Sequence, residues 1–279
     1  MTVRLAISGL GVPEAGLSTF LDLVERSGVQ GVEIRHDAVG PAEYRDAGIR
    51  DRLGVLDFVV LASRVKVGAG TRDDFIDDLS AAVADANRLG ATHVRVFPGA
   101  GRGADRTEDR ELVARLAQAS QIGRDTGVYI ALETHDSHCA ASDIANLLDA
   151  AVDSAAARGS LTAVWDVLHT WRVGESAGES LDHLSGWLTD GWIQVKDAVS
   201  RRDPAPELPG DGAVPLIEIL TTIRERGYPG WVSLEWERVW FPAVAPLEVA
   251  IEHLHSVFRQ AGVDWTAGSQ KTRTATTCA

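Results

Sequence analysis

Four strand-like segments of this 279-residue chain each end in side chains that can hold a metal ion or move a proton. They are the apolar runs Tyr129–Glu133, Ala163–Asp166, Trp192–Asp197 and Trp231–Glu235. A buried charge persists only where it is paired or bound to a metal, so three carboxylates at equivalent strand ends indicate shared chemistry. The carboxyl ends of parallel strands are also where a (β/α)₈ barrel builds its active site.

The four strand ends are predicted to direct their side chains to one centre, because residues two apart on a strand share a face. The set then offers three carboxylates and one amide oxygen, from Glu133, Asp166, Glu235 and Gln194. Oxygen ligands of this kind suit a hard or borderline divalent cation such as Mn²⁺ or Mg²⁺. Each residue alone could instead cap a strand or pair with a nearby lysine or arginine, but the quartet together favours a metal site.

Strand candidates alternate with helix-length segments along the whole chain. The strands are predicted at Arg4–Ser8, Gly31–Arg35, Val55–Leu61, Thr92–Phe97, Val128–Glu133, Leu161–Asp166, Trp192–Lys196 and Trp231–Trp236. The clearest helices, with apolar residues spaced by about 3.6, are Asp73–Leu89, Arg110–Thr126, Ser142–Arg158 and Pro246–Gln260. Several helices end at a glycine before the next strand. This repeat predicts the fold class α/β, a single-domain (β/α)₈ TIM barrel.

The barrel domain is predicted over residues 1–264, followed by a C-terminal polar tail over residues 265–279. The segment Ala267–Ala279 is rich in threonine and has no apolar face, which is typical of a tail outside the core. An open doubly wound sheet is the competing fold. It would carry a glycine-rich phosphate loop after its first strand, and Ser8–Gly11 is too weak a match.

Composition excludes several function classes. The net charge of −13 argues against a nucleic-acid partner, because binding to phosphates relies on clustered lysine and arginine. Two cysteines make neither a disulfide framework nor a zinc finger, and they fit a reducing compartment. The start of the chain lacks signal-peptide features, and no apolar run has membrane-spanning length. We expect a cytoplasmic protein with no membrane partner.

Six short stretches are spread over nearly the whole chain. They are Gly31–Arg35, Leu132–His135, Asp166–His169, Val195–Asp197, Pro209–Gly212 and Gly230–Glu235. In these stretches and in their order, the chain resembles the sugar phosphate isomerase/epimerase family of the xylose-isomerase-like TIM-barrel superfamily. None of these stretches is specific by itself, but the ordered set is.

The resemblance implies that Glu133, Asp166 and Glu235 bind a metal ion. It also implies that Glu133 and Glu235 exchange protons with a substrate carbon from opposite faces, and that His169 contacts substrate oxygens. The family usually has histidine where this chain has Gln194. The amide oxygen can still bind a metal, and the exchange shifts the expected preference from zinc towards manganese or magnesium. We therefore expect a Mn²⁺ cofactor, with Mg²⁺, Co²⁺ and Zn²⁺ as alternatives.

Further substrate-binding residues are predicted around these strand ends. His135 follows the strand that carries Glu133, and Lys196 could hold a substrate oxygen or pair with a carboxylate. Arg95 and Trp236 are also candidates, since a tryptophan face stacks well on sugar C–H groups. The expected ligand is a small carbohydrate, and the family resemblance implies a homodimer or homotetramer.

The expected reaction moves a proton beside a carbonyl through an enediolate, whose charge a divalent ion stabilises. Two flanking carboxylates act as base and acid. Epimerisation, aldose–ketose isomerisation and dehydration share this intermediate and stay open at this point. The alternative enzyme is a metal-dependent lyase that dehydrates an inosose or a 3-dehydroshikimate-type ketone. A non-catalytic barrel subunit is the alternative from another class, and an abasic-site endonuclease is disfavoured by the acidic charge.

Overall fold

Eight parallel strands close into a barrel in this computed structural model, which describes residues 2–13, 16–40, 42–99, 107–155 and 159–266. The strands of the chain are β1 Thr2–Ser8, β2 Gly31–Arg35, β3 Phe58–Lys66, β4 His93–Phe97, β5 Tyr129–Glu133, β6 Leu161–Asp166, β7 Trp192–Val195, β8 Asp197–Ala198, β9 Pro206–Glu207, β10 Trp231–Leu234 and β11 Asp264–Thr266. The barrel order runs from β1 to β7 and then β10, which pairs with β1. This closure confirms the predicted (β/α)₈ barrel, because an open doubly wound sheet leaves its edge strands unjoined.

Helices surround the barrel and turn an apolar face towards it. They are α1 Leu17–Ser27, α2 Ala47–Leu53, α3 Arg72–Leu89, α4 Asp109–Thr126, α5 Ala141–Ala155, α6 Val167–Val173, α7 Ala177–Leu184, α8 Leu216–Glu225 and α9 Leu247–Ala261. The predicted glycine ends of α1, α3 and α4 are confirmed, with Gly28, Gly90 and Gly127 at φ values of 69°, 75° and 73°. Among the helices described, none has the length and apolar content needed to cross a bilayer.

The third strand differs most from its prediction at Val55–Leu61. Val55 and Leu56 instead finish the turn after α2, where their N–H groups bond to carbonyls of the helix end. The strand starts at Phe58 and continues to Lys66, where exposed Arg64 sits between buried neighbours. The second half of the strand contains the polar residues Ser63, Arg64 and Lys66, so the apolar pattern of the sequence did not indicate its full length. The extension brings Arg64 and Lys66 to the carboxyl-end mouth of the barrel.

The C-terminal boundary also differs by two residues from its prediction. Trp265 belongs to β11, which pairs with β1. Its ring stacks on His255 at 4.3 Å and on Phe258 at 5.6 Å. Trp265 and Thr266 therefore extend the folded part of the chain, because a large aromatic ring gains from burial on α9. The rest of the predicted tail, residues 267–279, lies outside the described residues.

Aromatic rings fill the barrel below the predicted site and form what we call the floor: Phe58, His93, Trp192 and Trp231. Phe58 stacks on Trp231 at 4.9 Å and meets Trp192 edge-on at 5.5 Å. Gly31 is needed beside them, because a Cβ there would lie 2.9 Å from the Trp231 ring. His93 Nε2 donates to the Asp190 carbonyl over 2.8 Å, and burial lowers the pKa of His93 to about 4. The floor is thus a packed layer that supports the polar layer above it.

Candidate active site

Buried acidic side chains meet above the floor, at the carboxyl ends of the strands. Four are at most 4% exposed, and they come from β2, from the ends of β5 and β6, and from the residue after β10: Glu33, Glu133, Asp166 and Glu235. Strand alternation directs each of them inwards, while their apolar neighbours pack against the helices. The structure therefore brings the three predicted carboxylates into one polar layer, and it adds Glu33.

Lys196 joins the carboxylates on one side of this layer. Its Nζ lies 2.8 Å from Asp166 Oδ2, 2.5 Å from Glu235 Oε2 and 2.7 Å from Glu237 Oε1. Burial alone would lower the pKa of Lys196, but Asp166 and Glu235 hold it well above its usual value. Lys196 is thus a fixed positive charge between two of the predicted metal ligands. Pairing with a carboxylate was one of its two predicted roles.

The neighbouring residue Asp197 fixes the backbone that carries Lys196. Its Oδ2 accepts hydrogen bonds from the N–H groups of Gly210 and Gly212 at 2.9 and 3.1 Å, and its Oδ1 accepts from Val214 at 3.0 Å. A Cβ on Gly212 would lie 2.3 Å from Oδ1, so only glycine fits there. The loop Pro209–Gly212 therefore holds in place the backbone that follows β7, and it takes no direct part in the site.

Arg95 neutralises the carboxylate on the opposite side of the layer. Its Nη1 donates to Glu133 Oε2 at 2.6 Å, and its guanidinium lies 4.0 Å from the centre of the Phe97 ring. Burial raises the pKa of Glu133, and the charge of Arg95 partly offsets this rise. Glu133 and Glu235 therefore have separate cationic partners, with β6 and β7 between their strands.

Gln194 contacts two of the acidic side chains through its amide nitrogen. Nε2 donates to Glu33 Oε2 at 2.8 Å and to Glu235 Oε1 at 3.5 Å. Its Oε1 is buried and has no hydrogen-bond partner among the described residues. Burial, with a contribution from Glu235, raises the pKa of Glu33 to about 7. Sequence reasoning missed Glu33 as a site residue, although its position two residues before Arg35 on an otherwise apolar strand was a usable signal.

Two histidines join Glu133 in the group that is best arranged to hold a metal ion. Glu133, His135 and His169 each offer one ligand atom, and these atoms lie within 4.8 Å of one another. The two imidazole rings are 4.5 Å apart, and His169 Nε2 lies 3.4 Å from Asp166 Oδ2. Both histidines were predicted to bind substrate, and the structure brings them to the same side as Glu133.

A tight turn after β5 orients His135. The backbone N–H groups of His135 and His138 donate to each other's carbonyls at 3.1 and 2.9 Å. Between them, Asp136 has a φ of 52°, a left-handed conformation that aspartate tolerates better than most residues. Asp136 Oδ1 lies 2.9 Å from His135 Nδ1. Burial alone would lower the pKa of His135, but Asp136 and Glu133 raise it above its ordinary value.

An open cavity of about 320 Å³ lies directly above these residues. Predicted site residues that line it are Arg95, Glu133, His135, Lys196 and Glu235. Trp236 does not line it: this residue is 1% exposed and donates its indole N–H to the Ala245 carbonyl at 2.9 Å. The tryptophan that borders the cavity is instead Trp240, which is 55% exposed. The chain turns after Trp236, so the two tryptophans face different sides.

The inner site carries more negative than positive charge, which suits a divalent cation. Two cations, Arg95 and Lys196, contact four of its five carboxylates, which are Glu133, Asp166, Glu235 and Glu237. The fifth, Glu33, contacts the neutral Gln194. Burial, together with the neighbouring carboxylates, raises the pKa values of Glu33 and Glu133. Glu133, His135 and His169 fit such an ion directly. Lys196 contacts one oxygen of Asp166 and one of Glu235, so an ion held by these two carboxylates would take their other oxygens or displace Lys196.

Comparisons with known proteins agree with this architecture. The chain matches the xylose isomerase-like TIM barrel family model over residues 21–260. No curated protein matches the sequence. Solved structures that share the fold include an IOLI protein with a bound zinc atom, with a TM-score of 0.72 and 18% identity over 93% of this chain and 98% of that chain.

An L-ribulose 3-epimerase has a TM-score of 0.72 and 16% identity over 94% of this chain and 97% of that chain. The probable 3-DHS dehydratase AsbF from Bacillus anthracis has a TM-score of 0.71 and 14% identity over 91% and 98%. At such identities these structures establish the fold alone. The family model, in contrast, covers most of the sequence, and the chain belongs to the xylose isomerase-like TIM barrel family.

Proposed function

We propose that this protein is a divalent-metal-dependent isomerase or epimerase that acts on a sugar or a sugar-like ketone. The observation that carries the proposal is the pair of buried carboxylates at the cavity base, Glu133 and Glu235, each held by its own cation. Base and acid on two sides of one carbon are what proton transfer beside a carbonyl requires. The family and its isomerase and epimerase structures support the same reaction class.

In this mechanism Glu133 acts as the base. Its raised pKa makes the carboxylate more basic than an exposed glutamate, and it borders the cavity where the substrate carbon would lie. Arg95 orients Glu133 by donating to its Oε2. Glu235, oriented by Lys196, returns a proton from its own side and so inverts the centre. Return of the proton by Glu133 to the neighbouring carbon, together with passage of a proton from the substrate hydroxyl to the former carbonyl oxygen, gives isomerisation instead.

A divalent ion, when bound, stabilises the negative charge that develops on the substrate oxygens. The residues we propose to hold it are Glu133, His135 and His169, whose donor atoms are already close together. Two imidazole nitrogens and a carboxylate suit Zn²⁺ or Co²⁺ as well as Mn²⁺. Asp166, Gln194 and Glu235 stay predicted ligands. The Oε1 of Gln194 has no hydrogen-bond partner among the described residues, which supports Gln194 as a ligand.

Hydrogen–deuterium exchange tests the proposed function. A panel of ketoses and cyclic ketones is incubated in heavy water with the protein and Mn²⁺, Co²⁺ or Zn²⁺, and deuterium beside the carbonyl is read by mass spectrometry. We expect incorporation with at least one ketone, its loss in Glu133→Gln, and no change in the surface control Glu252→Gln. Ultraviolet absorbance of the same mixtures detects dehydration, which would favour the lyase alternative. No incorporation and no dehydration with any ketone contradicts the proposal.

A further inference from the structure

Three cationic side chains, which we call the basic rim, border the cavity on the β2–β3 side. Arg35 ends β2, and Arg64 and Lys66 lie on the extended half of β3. All three line the same cavity as Glu133 and Glu235. The Arg64 side chain is 66% exposed, so its guanidinium reaches the opening of the cavity.

The basic rim has more positive charge than the carboxylates around it can neutralise. Asp37 is its only partner within ion-pair distance among the described residues, with Oδ2 at 2.8 Å from Arg35 Nη2 and 3.5 Å from Arg64 Nη1. Asp136, the next acid on the cavity wall, is 2.9 Å from His135. The charge of Lys66 also acts on Asp136. Three cations against Asp37 and Asp136, the latter shared with His135, leave a surplus of one positive charge.

This surplus is unusual on a chain with a net charge of −13. Arg52, on the outer surface, has by contrast two carboxylate partners, Asp22 and Glu25, each at 2.7 Å. Clustered cations with few partners, beside a concave site, attract anionic ligands and raise their local concentration. Arginine guanidiniums bind the oxygens of phosphate or carboxylate groups in a paired geometry, and lysine adds a point charge.

We propose that the basic rim binds an anionic oxygen group of the substrate, so that the substrate is a phosphorylated or carboxylated sugar. This proposal rests on the proposed function, since the sugar ketone must reach Glu133 and Glu235 while the anion stays at the rim. The cavity of about 320 Å³ joins the two regions. Trp240, 5.9 Å from the Arg64 guanidinium, provides an apolar wall for the sugar between them.

Isothermal titration calorimetry of the full-length protein tests the rim. The probes are inorganic phosphate, ribulose, ribulose 5-phosphate and 2-ketogluconate. The test variant carries the double substitution Arg64→Gln and Lys66→Gln. The control is Arg50→Gln, since Arg50 is an exposed residue of α2 that does not line the cavity. We expect wild type to bind one of the two anionic sugars about 10-fold or more tightly than ribulose, as charge-assisted hydrogen bonds provide.

The double substitution should reduce this preference to about 1 and abolish phosphate binding, whereas Arg50→Gln should change neither. A preference for ribulose 5-phosphate identifies a phosphate as the anion, and a preference for 2-ketogluconate identifies a carboxylate. Equal affinity for neutral and anionic sugars, equal loss in Arg50→Gln, or no binding of any probe overturns the proposal. Calorimetry needs no turnover, so the two proposals can fail separately. Anion binding without deuterium exchange would contradict only the proposed reaction. Deuterium exchange without a preference for anionic sugars would contradict only the proposed role of the basic rim.

Discussion

The protonation of His93 tests whether water reaches the aromatic rings of the barrel floor. Burial lowers the pKa of this histidine from 6.5 to about 4, because its ring lies among Phe58, Tyr129 and Trp192. The folded state then favours the neutral imidazole, whereas the unfolded chain takes up a proton as the pH falls below about 6.5. The contribution of His93 to the free energy of unfolding is therefore complete above pH 6.5, and it is lost as the pH falls towards 4.

The size of this effect follows from the two pKa values. A shift of one pKa unit corresponds to about 1.4 kcal/mol. With 6.5 in the unfolded state and about 4 in the folded state, the free energy of unfolding should fall by about 2 kcal/mol between pH 8 and pH 5 through His93 alone. The full loss, reached below pH 4, is about 3 kcal/mol.

Urea unfolding of wild type and His93→Gln across this pH range measures the effect. The offset between the two proteins at pH 8 reports lost packing, and the change of the offset with pH reports the proton. His253→Gln serves as the control, because that histidine is on the outer face of α9 with a 36% exposed side chain. An offset between wild type and His93→Gln that stays constant within about 0.5 kcal/mol from pH 8 to pH 5 would refute the reasoning, since it would mean that water reaches the ring.

Three further predictions concern the site and its support. Glu133→Gln and Glu235→Gln should each reduce turnover by about 10²-fold or more while the circular dichroism spectrum stays unchanged, and wild-type rates in both would remove them from the mechanism. Gln194→His should shift metal preference towards zinc, as measured by elemental analysis after equilibration with mixed metals, and an unchanged profile would show that Gln194 is not a ligand. Trp192→Ala should lower the free energy of unfolding by about 3–5 kcal/mol in denaturant titrations, because Trp192 is fully buried. A loss below about 1 kcal/mol would contradict the packed floor.

The fold could be predicted from the sequence because the signals that determine it are local. Apolar strands, amphipathic helices and left-handed glycines such as Gly90 repeat along the chain, and each is visible within a short window. The β3 strand was misjudged where local pattern and tertiary context disagree. Its second half alternates polar and apolar residues at the barrel mouth, and the apolar Val55 before it belongs to a turn.

The structure brings several of the predicted site residues together, but the sequence did not predict which of them pair. Alternation shows which side chains point inwards, so Glu133 and Glu235 could be identified. It does not show which charges meet, because those contacts join distant parts of the chain: Gln194 and Glu33 are 161 positions apart. Glu237 lies beyond the end of β10, where no periodic pattern applies, and its contact with Lys196 could not be foreseen.

The aromatic layer beneath the carboxylates has a consequence for molecular traffic. In the described part of the chain, Phe58, Trp192 and Trp231 block any passage through the lower end of the barrel. In the proposed reaction, substrate would enter and product would leave through the same mouth of the cavity, which Trp240 borders. Each new molecule has to wait until the previous one has gone. Accumulated product should therefore slow the proposed reaction by competing with fresh substrate for the cavity.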